Sequence, residues 1–229
     1  MTPGLPGRLP YNGQPRWFKA LCGAFFRMAF GACSVRGTEL IPAEGPLIIA
    51  STHRSYIDPI VLGAFIPRPV FFMAKIELFR NRAFAAVIRG FGSFPVDPEI
   101  ALGSTFRTAV GLLQQGEAVV IFPEGGIVDS LGENGYKEGV GLLSSLTGAP
   151  VVPIYLEDTN TLFSWPAGPT RRSRMAFWAG GPIDPPEERG REGRNQIAER
   201  VEAALEEMNR ELRAGDPPGG EAPGRAESP

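Results

Sequence analysis

Pro46-Leu47-Ile48-Ile49-Ala50-Ser51-Thr52-His53-Arg54-Ser55-Tyr56-Ile57-Asp58-Pro59 is the stretch whose reading decides the fold. Its first half is an apolar run of strand length and reads as a buried strand, whereas Pro59 to Ile66 reads as the start of a helix. His53, the single histidine among 229 residues, is therefore expected at a strand-to-helix turn at one end of a sheet.

Working outward, the same alternation recurs. Val70 to Lys75, Ala118 to Phe122, Val151 to Leu156 and Arg174 to Ala179 read as strands. Ser93 to Asp97 reads as a short strand placed toward an edge by Pro95, because proline cannot donate to a central ladder. Helices are expected over Leu78 to Phe91, along the stripe Leu102, Phe106, Val110 and Leu113, over Lys137 to Leu146, and along Ile197, Val201, Leu205, Met208 and Leu212. Glu157 to Ser173 reads as a long loop, of a length that tends to be functional or mobile. Strands alternating with helices predict an α/β fold: a single domain with a mostly buried mixed sheet flanked by helices, over residues 36–213. Residues 1–15 are expected to be a flexible lead-in and 214–229 a disordered tail.

The chemistry follows from the turn. A carboxylate five residues after a histidine can meet it when the chain turns between them. Asp58 would then hold one ring nitrogen of His53 and leave the other to take a proton from a hydroxyl. The chain has no G-x-S-x-G elbow, so a substrate hydroxyl is the expected nucleophile. The same residues also have a structural reading, since Asp58 before Pro59 makes a good helix N-cap. A second functional-looking point is Pro123-Glu124-Gly125-Gly126, directly after the clearest strand. Glycines there allow unusual backbone angles and a close approach of amide groups to an oxyanion or a phosphate.

Composition bounds the rest. With 43% hydrophobic residues and a formal net charge of −2 from 23 basic and 25 acidic residues, the chain can bury a sizeable core and does not suggest nucleic acid as a partner. Cys22, Cys33 and one histidine do not make a convincing zinc set, and no metal is expected. A reduced, cytoplasmic setting is the default. Within the N-terminal segment 16–35, which reads as a helix, the run Leu21 to Val35 is apolar, but Lys19 flanks it and Arg27 interrupts it, so it falls short of the ~20 residues needed to span a bilayer. Trp17, Phe18, Phe25 and Phe26 with these two cations suit a helix in the membrane interface, and a core-packing helix is the competing reading.

These motifs together resemble the lysophosphatidic acid acyltransferase family, the glycerolipid acyltransferases with an H-x4-D motif, over about residues 36 to 184. His53-Arg54-Ser55-Tyr56-Ile57-Asp58-Pro59 is similar to the first block of that family, although Thr52 stands where an asparagine is common. Gly92 to Asp97 resembles the second block, Phe122-Pro123-Glu124-Gly125 the third and Val152-Pro153-Ile154 the fourth; Ala74-Lys75 with Glu77-Leu78-Phe79 resembles the segment between blocks. The resemblance implies transfer of a fatty acyl group from acyl-CoA or acyl carrier protein to a hydroxyl of a lysolipid acceptor, by default lysophosphatidic acid. No organic cofactor is needed. It implies His53 as general base, Asp58 as its support, Glu124 holding the acceptor, and a peripheral or monotopic location on the cytoplasmic face of the membrane. Backbone amides of Gly125 and Gly126 are the expected donors to the oxyanion.

Two departures stand out. The family's second block commonly ends in an arginine where this chain has Pro98, and its third continues Gly-Thr-Arg where this chain has Gly125-Gly126-Ile127. Those arginines are attributed to acceptor phosphate, and each such contact is worth about 1.5–3 kcal/mol. Lys75 or Lys137 would have to take over, or the acceptor is a lysolipid without phosphate at that point, such as a glycolipid or amino-lipid precursor. A non-catalytic lipid-binding protein and a thioester hydrolase are the rival readings.

Overall fold

The computed structural model describes residues 14, 16–30, 32–96, 106–127, 139–159, 174–187 and 190–214. Along the chain come α1 (Arg16–Ala29), β1 (Ala32–Arg36), β2 (Leu47–Ser51), α2 (Asp58–Phe65), β3 (Val70–Lys75), α3 (Arg82–Gly90) and β4 (Ser93–Val96). They are followed by α4 (Arg107–Gln114), β5 (Ala118–Ile121), α5 (Gly139–Thr147), β6 (Val151–Glu157), β7 (Arg174–Ala179) and α6 (Arg191–Ala214). Lys137, Pro98, residues 160–173 of the expected long loop, and nearly all of the expected lead-in and tail lie outside the described residues.

The strands form one sheet in the order β1-β7-β6-β2-β5-β3-β4. From β6 through β4 every neighbouring pair is parallel. β7 runs antiparallel to β6, and β1 runs parallel to β7. The sheet is therefore mixed, and β4 with its Pro95 is an edge strand, as the sequence predicts.

Strand β2 lies at the centre and is buried along its whole length. Leu47 and Ile49 join the core on the face covered by α1 and α2. Ile48 and Ala50 join the core under α4, α5 and α6. Both faces are apolar, which is why the run in the sequence is continuous rather than alternating.

Three details differ from the sequence expectations. The helix expected over 16–35 stops at Ala29, and 32–36 joins the sheet as β1. Cys33 and Val35, two residues apart, both pack against the core; a short apolar run does not by itself separate a helix from a strand. Phe26 is withdrawn from the membrane contact expected of it: it is 2% exposed and lies 6.1 Å from the ring of Phe65 on α2. Burying a phenylalanine is worth about 1.5–3 kcal/mol, and the domain core claims that side chain. Finally, the helix expected over Leu78 to Phe91 is a 3₁₀ turn, Ile76–Phe79, followed by α3. Asn81 separates the two by capping α3, its side chain accepting the Phe84 N–H at 3.0 Å.

At the end of the sheet where β2 and β5 begin, Arg68 is buried. One terminal nitrogen donates to the Pro42 carbonyl at 3.0 Å. The other donates to the carbonyls of Gly45 at 2.8 Å and Gly116 at 2.9 Å. A single side chain thus joins the entries to both central strands.

Candidate active site

β2 and β5 are adjacent and parallel, with Ala50 beside Ile121. His53 and Glu124 each follow that pair by three residues, so both emerge at the same end of the sheet. The exit of β2 is locked sideways as well. Thr52 donates its backbone N–H to Ile154 at 3.1 Å, and its hydroxyl accepts the Leu156 N–H at 2.8 Å while donating to the Leu156 carbonyl at 3.2 Å. His53 therefore leaves from a fixed point between β5 and β6.

The turn itself is built around one oxygen. Asp58 is 0% exposed, and its Oδ2 accepts the backbone N–H groups of Arg54 at 2.7 Å and Ser55 at 2.8 Å. The same oxygen lies 2.8 Å from His53 Nδ1. Asp58 is not the cap of α2, as its structural reading had it. It is the first residue of the helix, with Ile57 at the cap position and no side-chain cap bond. Its carboxylate folds back over the preceding turn and reaches both amides and the ring.

A proton on Nδ1 satisfies that short contact, which leaves Nε2 as the imidazole atom not engaged by Asp58. The ring is also held flat: Phe122 stacks on it with centroids 4.0 Å apart and planes 17° from parallel. The side chain of His53 keeps 16% of its surface open. A fixed, partly exposed ring with one nitrogen not bound by Asp58 can exchange a proton with a group that reaches it.

Glu124 stands behind the histidine. It is 1% exposed, and its Oε2 accepts the His53 backbone N–H at 3.1 Å. The carboxylate thus ties the end of β5 to the histidine's turn. Gly125 follows with φ 73°, a left-handed angle that favours glycine, and its N–H donates to the Phe122 carbonyl at 3.0 Å. That amide is engaged in the turn, which takes the first of the two expected oxyanion donors. Lys75 is exposed at the last position of β3, the strand next to β5. Ile127 is partly exposed just beyond Gly126.

One participant escaped the sequence reading. Arg54 is buried and its positive charge lies close enough to the hydroxyl of Tyr155 on β6 to act on it. The same hydroxyl meets the carboxylate of Glu157 and, at 3.0 Å, Oδ1 of Asn209 on α6. Burial, and then Glu157, hold the Tyr155 hydroxyl well above the usual tyrosine range. Thr52 and Arg54 thus both face β6, while His53 between them is tied to the end of β5 through Glu124. The available signal was a tyrosine inside the otherwise apolar run Val151 to Leu156, since a buried hydroxyl needs partners.

Among the described residues no helix is long and apolar enough to cross a membrane. A family model described as Acyltransferase matches residues 32–157. A 1-acyl-sn-glycerol-3-phosphate acyltransferase of Bacillus subtilis (strain 168) is 35% identical over 124 residues, covering 54% of this chain and 61% of that protein. The protein of the same name from Streptococcus pneumoniae is 28% identical over 188 residues, covering 80% of this chain and 68% of that protein. This chain therefore spans less than two thirds of the Bacillus protein. Among solved structures, the 1-acyl-sn-glycerophosphate acyltransferase PlsC from Thermotoga maritima shares the fold, with a TM-score of 0.68 at 22% identity over 87% of this chain and 80% of that one. The matched segment runs from β1 to the end of β6 and so contains the His53 turn, Asp58 and Glu124; on that match the chain belongs to the acyltransferase family.

Proposed function

We propose that the protein transfers a fatty acyl group from a thioester, acyl-CoA or acyl carrier protein, to a hydroxyl of a lysolipid, with lysophosphatidic acid as the default acceptor. The observation that supports this best is the 2.8 Å contact between His53 Nδ1 and Asp58 Oδ2 in a ring whose Nε2 is left for chemistry. In this mechanism Nε2 takes the proton of the acceptor hydroxyl as its oxygen attacks the thioester carbonyl. The tetrahedral oxyanion is met by the Gly126 N–H. Collapse breaks the C–S bond, and the imidazolium returns its proton to the departing thiolate. Asp58 holds the ring in the required tautomer and stabilises the imidazolium, and Glu124 fixes the backbone from which the histidine projects.

The acceptor is the less constrained part. The names of the Bacillus and Streptococcus relatives favour lysophosphatidic acid, with Lys75 as one described cation at the site end of the sheet and Lys137 as a second candidate. Ile127, in place of the family's arginine, favours a lysolipid without phosphate at that point. A membrane-surface location, with Trp17, Phe18 and Phe25 of α1 toward the lipid, accords with either acceptor.

Mass spectrometry of products from purified protein, an acyl thioester and a panel of lysolipids with and without headgroup phosphate separates these outcomes. Acylation of lysophosphatidic acid alone supports the default. Preference for a phosphate-free acceptor assigns Ile127 to a changed acceptor site. Release of free fatty acid without any acylated lipid overturns acyl transfer in favour of hydrolysis.

A further inference from the structure

Helix α3 has the fewest buried residues of the described α-helices. Of its nine residues, Ala85 alone is buried. A helix this short is marginal in water unless one face is packed, yet Phe84 is 48% exposed and Val87 55% exposed. With Ile88 and Phe91 they form a stripe at spacings of three and four residues, the pattern of a face that is normally covered.

Three observations indicate what covers it. First, the stripe is flanked by exposed cations: Arg80 just before the helix, Arg82 in its first turn and Arg89 in its last, against Glu77 as the acid of the same segment. The Arg89 guanidinium sits 5.1 Å from the ring centre of Phe79, its charge held at the rim of apolar surface. Second, the stripe continues into α1. Phe91 packs on Phe18 with centroids 4.9 Å apart, and Gln14 donates to the Phe91 carbonyl at 3.4 Å. Beyond Phe18, Trp17, Leu21, Phe25 and Met28 are exposed on α1. Third, α3 follows β3 through the 3₁₀ turn, so its start lies at the end of the sheet from which His53 and Glu124 emerge.

We propose that α3 is a second bilayer contact: Phe84 and Val87 enter the boundary between headgroups and acyl chains, and Arg80, Arg82 and Arg89 meet anionic headgroups. With α1 beside it, the protein would rest on two apolar strips instead of one. Such a two-point contact fixes the tilt of the domain, which a single helix leaves free. This rests on the lysolipid reading for its purpose and not for its test, because vesicle binding is read without turnover.

The test is flotation of the full-length protein with vesicles of phosphatidylcholine alone and of phosphatidylcholine with phosphatidylglycerol. Phe84→Ser with Val87→Ser is expected to lower partitioning at least about tenfold on both compositions. Arg80→Glu with Arg82→Glu, at exposed positions that leave the apolar stripe intact, is expected to lower it at least about tenfold on the anionic vesicles and by little on the neutral ones. Thermal unfolding of both variants is expected to stay close to wild type, which reports an intact fold. Unchanged partitioning in either pair, while Trp17→Ser with Phe25→Ser releases the protein, would leave α1 as the sole contact and overturn the proposal. So would intact vesicle binding together with loss of binding to purified acyl carrier protein, which would make α3 a donor-docking surface.

Discussion

Where the central strands begin, Arg68 donates to three backbone carbonyls drawn from the loop that enters β2 and the turn that enters β5; where they finish, Asp58 accepts two backbone amides and faces one imidazole. Both charges are buried, and both organise chain segments that have no regular structure of their own. At the Arg68 end all the named partners are backbone carbonyls. At the Asp58 end one partner is a side chain that can change its proton count and is partly exposed. A buried charge stabilises either end, but only the second arrangement leaves a group poised to react.

The largest way to break that contrast is His53→Ala. Loss of a positioned general base should lower acyl transfer by about 10²–10⁴-fold, with thermal unfolding close to wild type because the Asp58 bonds to the two amides survive. Near-normal turnover in a kinetic assay would make the two ends alike in being merely structural. Next is Arg68→Leu, which orphans three carbonyl groups. We expect a loss of about 3 kcal/mol in urea unfolding, with turnover per folded molecule unchanged. A drop in turnover without a drop in stability would show that the ends are coupled through the strands.

The smallest effect sharpens the comparison at the Arg54 anchor. Tyr155 is raised in the folded state from its ordinary value of 10.0. Below pH 10 both states keep the proton and the contribution is fully present. As pH rises above 10 the unfolded chain releases the proton while the folded chain keeps it, so stability falls by about 1.4 kcal/mol per pH unit attributable to this group. Tyr155→Phe should remove that part of the slope. Lys19, lowered by burial, titrates in both proteins and cancels in the difference. Equal slopes would mean that the hydroxyl titrates normally in the folded chain.

Several pieces of this were legible in the residues. The continuous apolar runs named β2, β3, β5, β6 and β7 because strands covered on both faces need no alternation. The H-x4-D spacing named His53 and Asp58 because a five-residue reach fits a tight turn. Phe26 and β1 were less legible, since an apolar run between a helix and a loop carries no mark of which neighbour will bury it. Asn81 was missed as a cap, and Arg54 as an anchor, because each acts through a partner: the Phe84 amide is local, but Tyr155 is about a hundred positions away.

By itself, then, the sequence determined the alternation of strands and helices, the central buried strand and the identity of the histidine–carboxylate pair, all of which depend on local pattern and short reach. Only the tertiary structure decided that β2 and β5 are parallel neighbours, which brings Glu124 behind His53, and that Phe26 turns inward while Phe84 and Val87 stay outside. Strand order and the choice of which apolar surface is covered depend on contacts between distant segments, and a linear pattern carries no record of who those neighbours are.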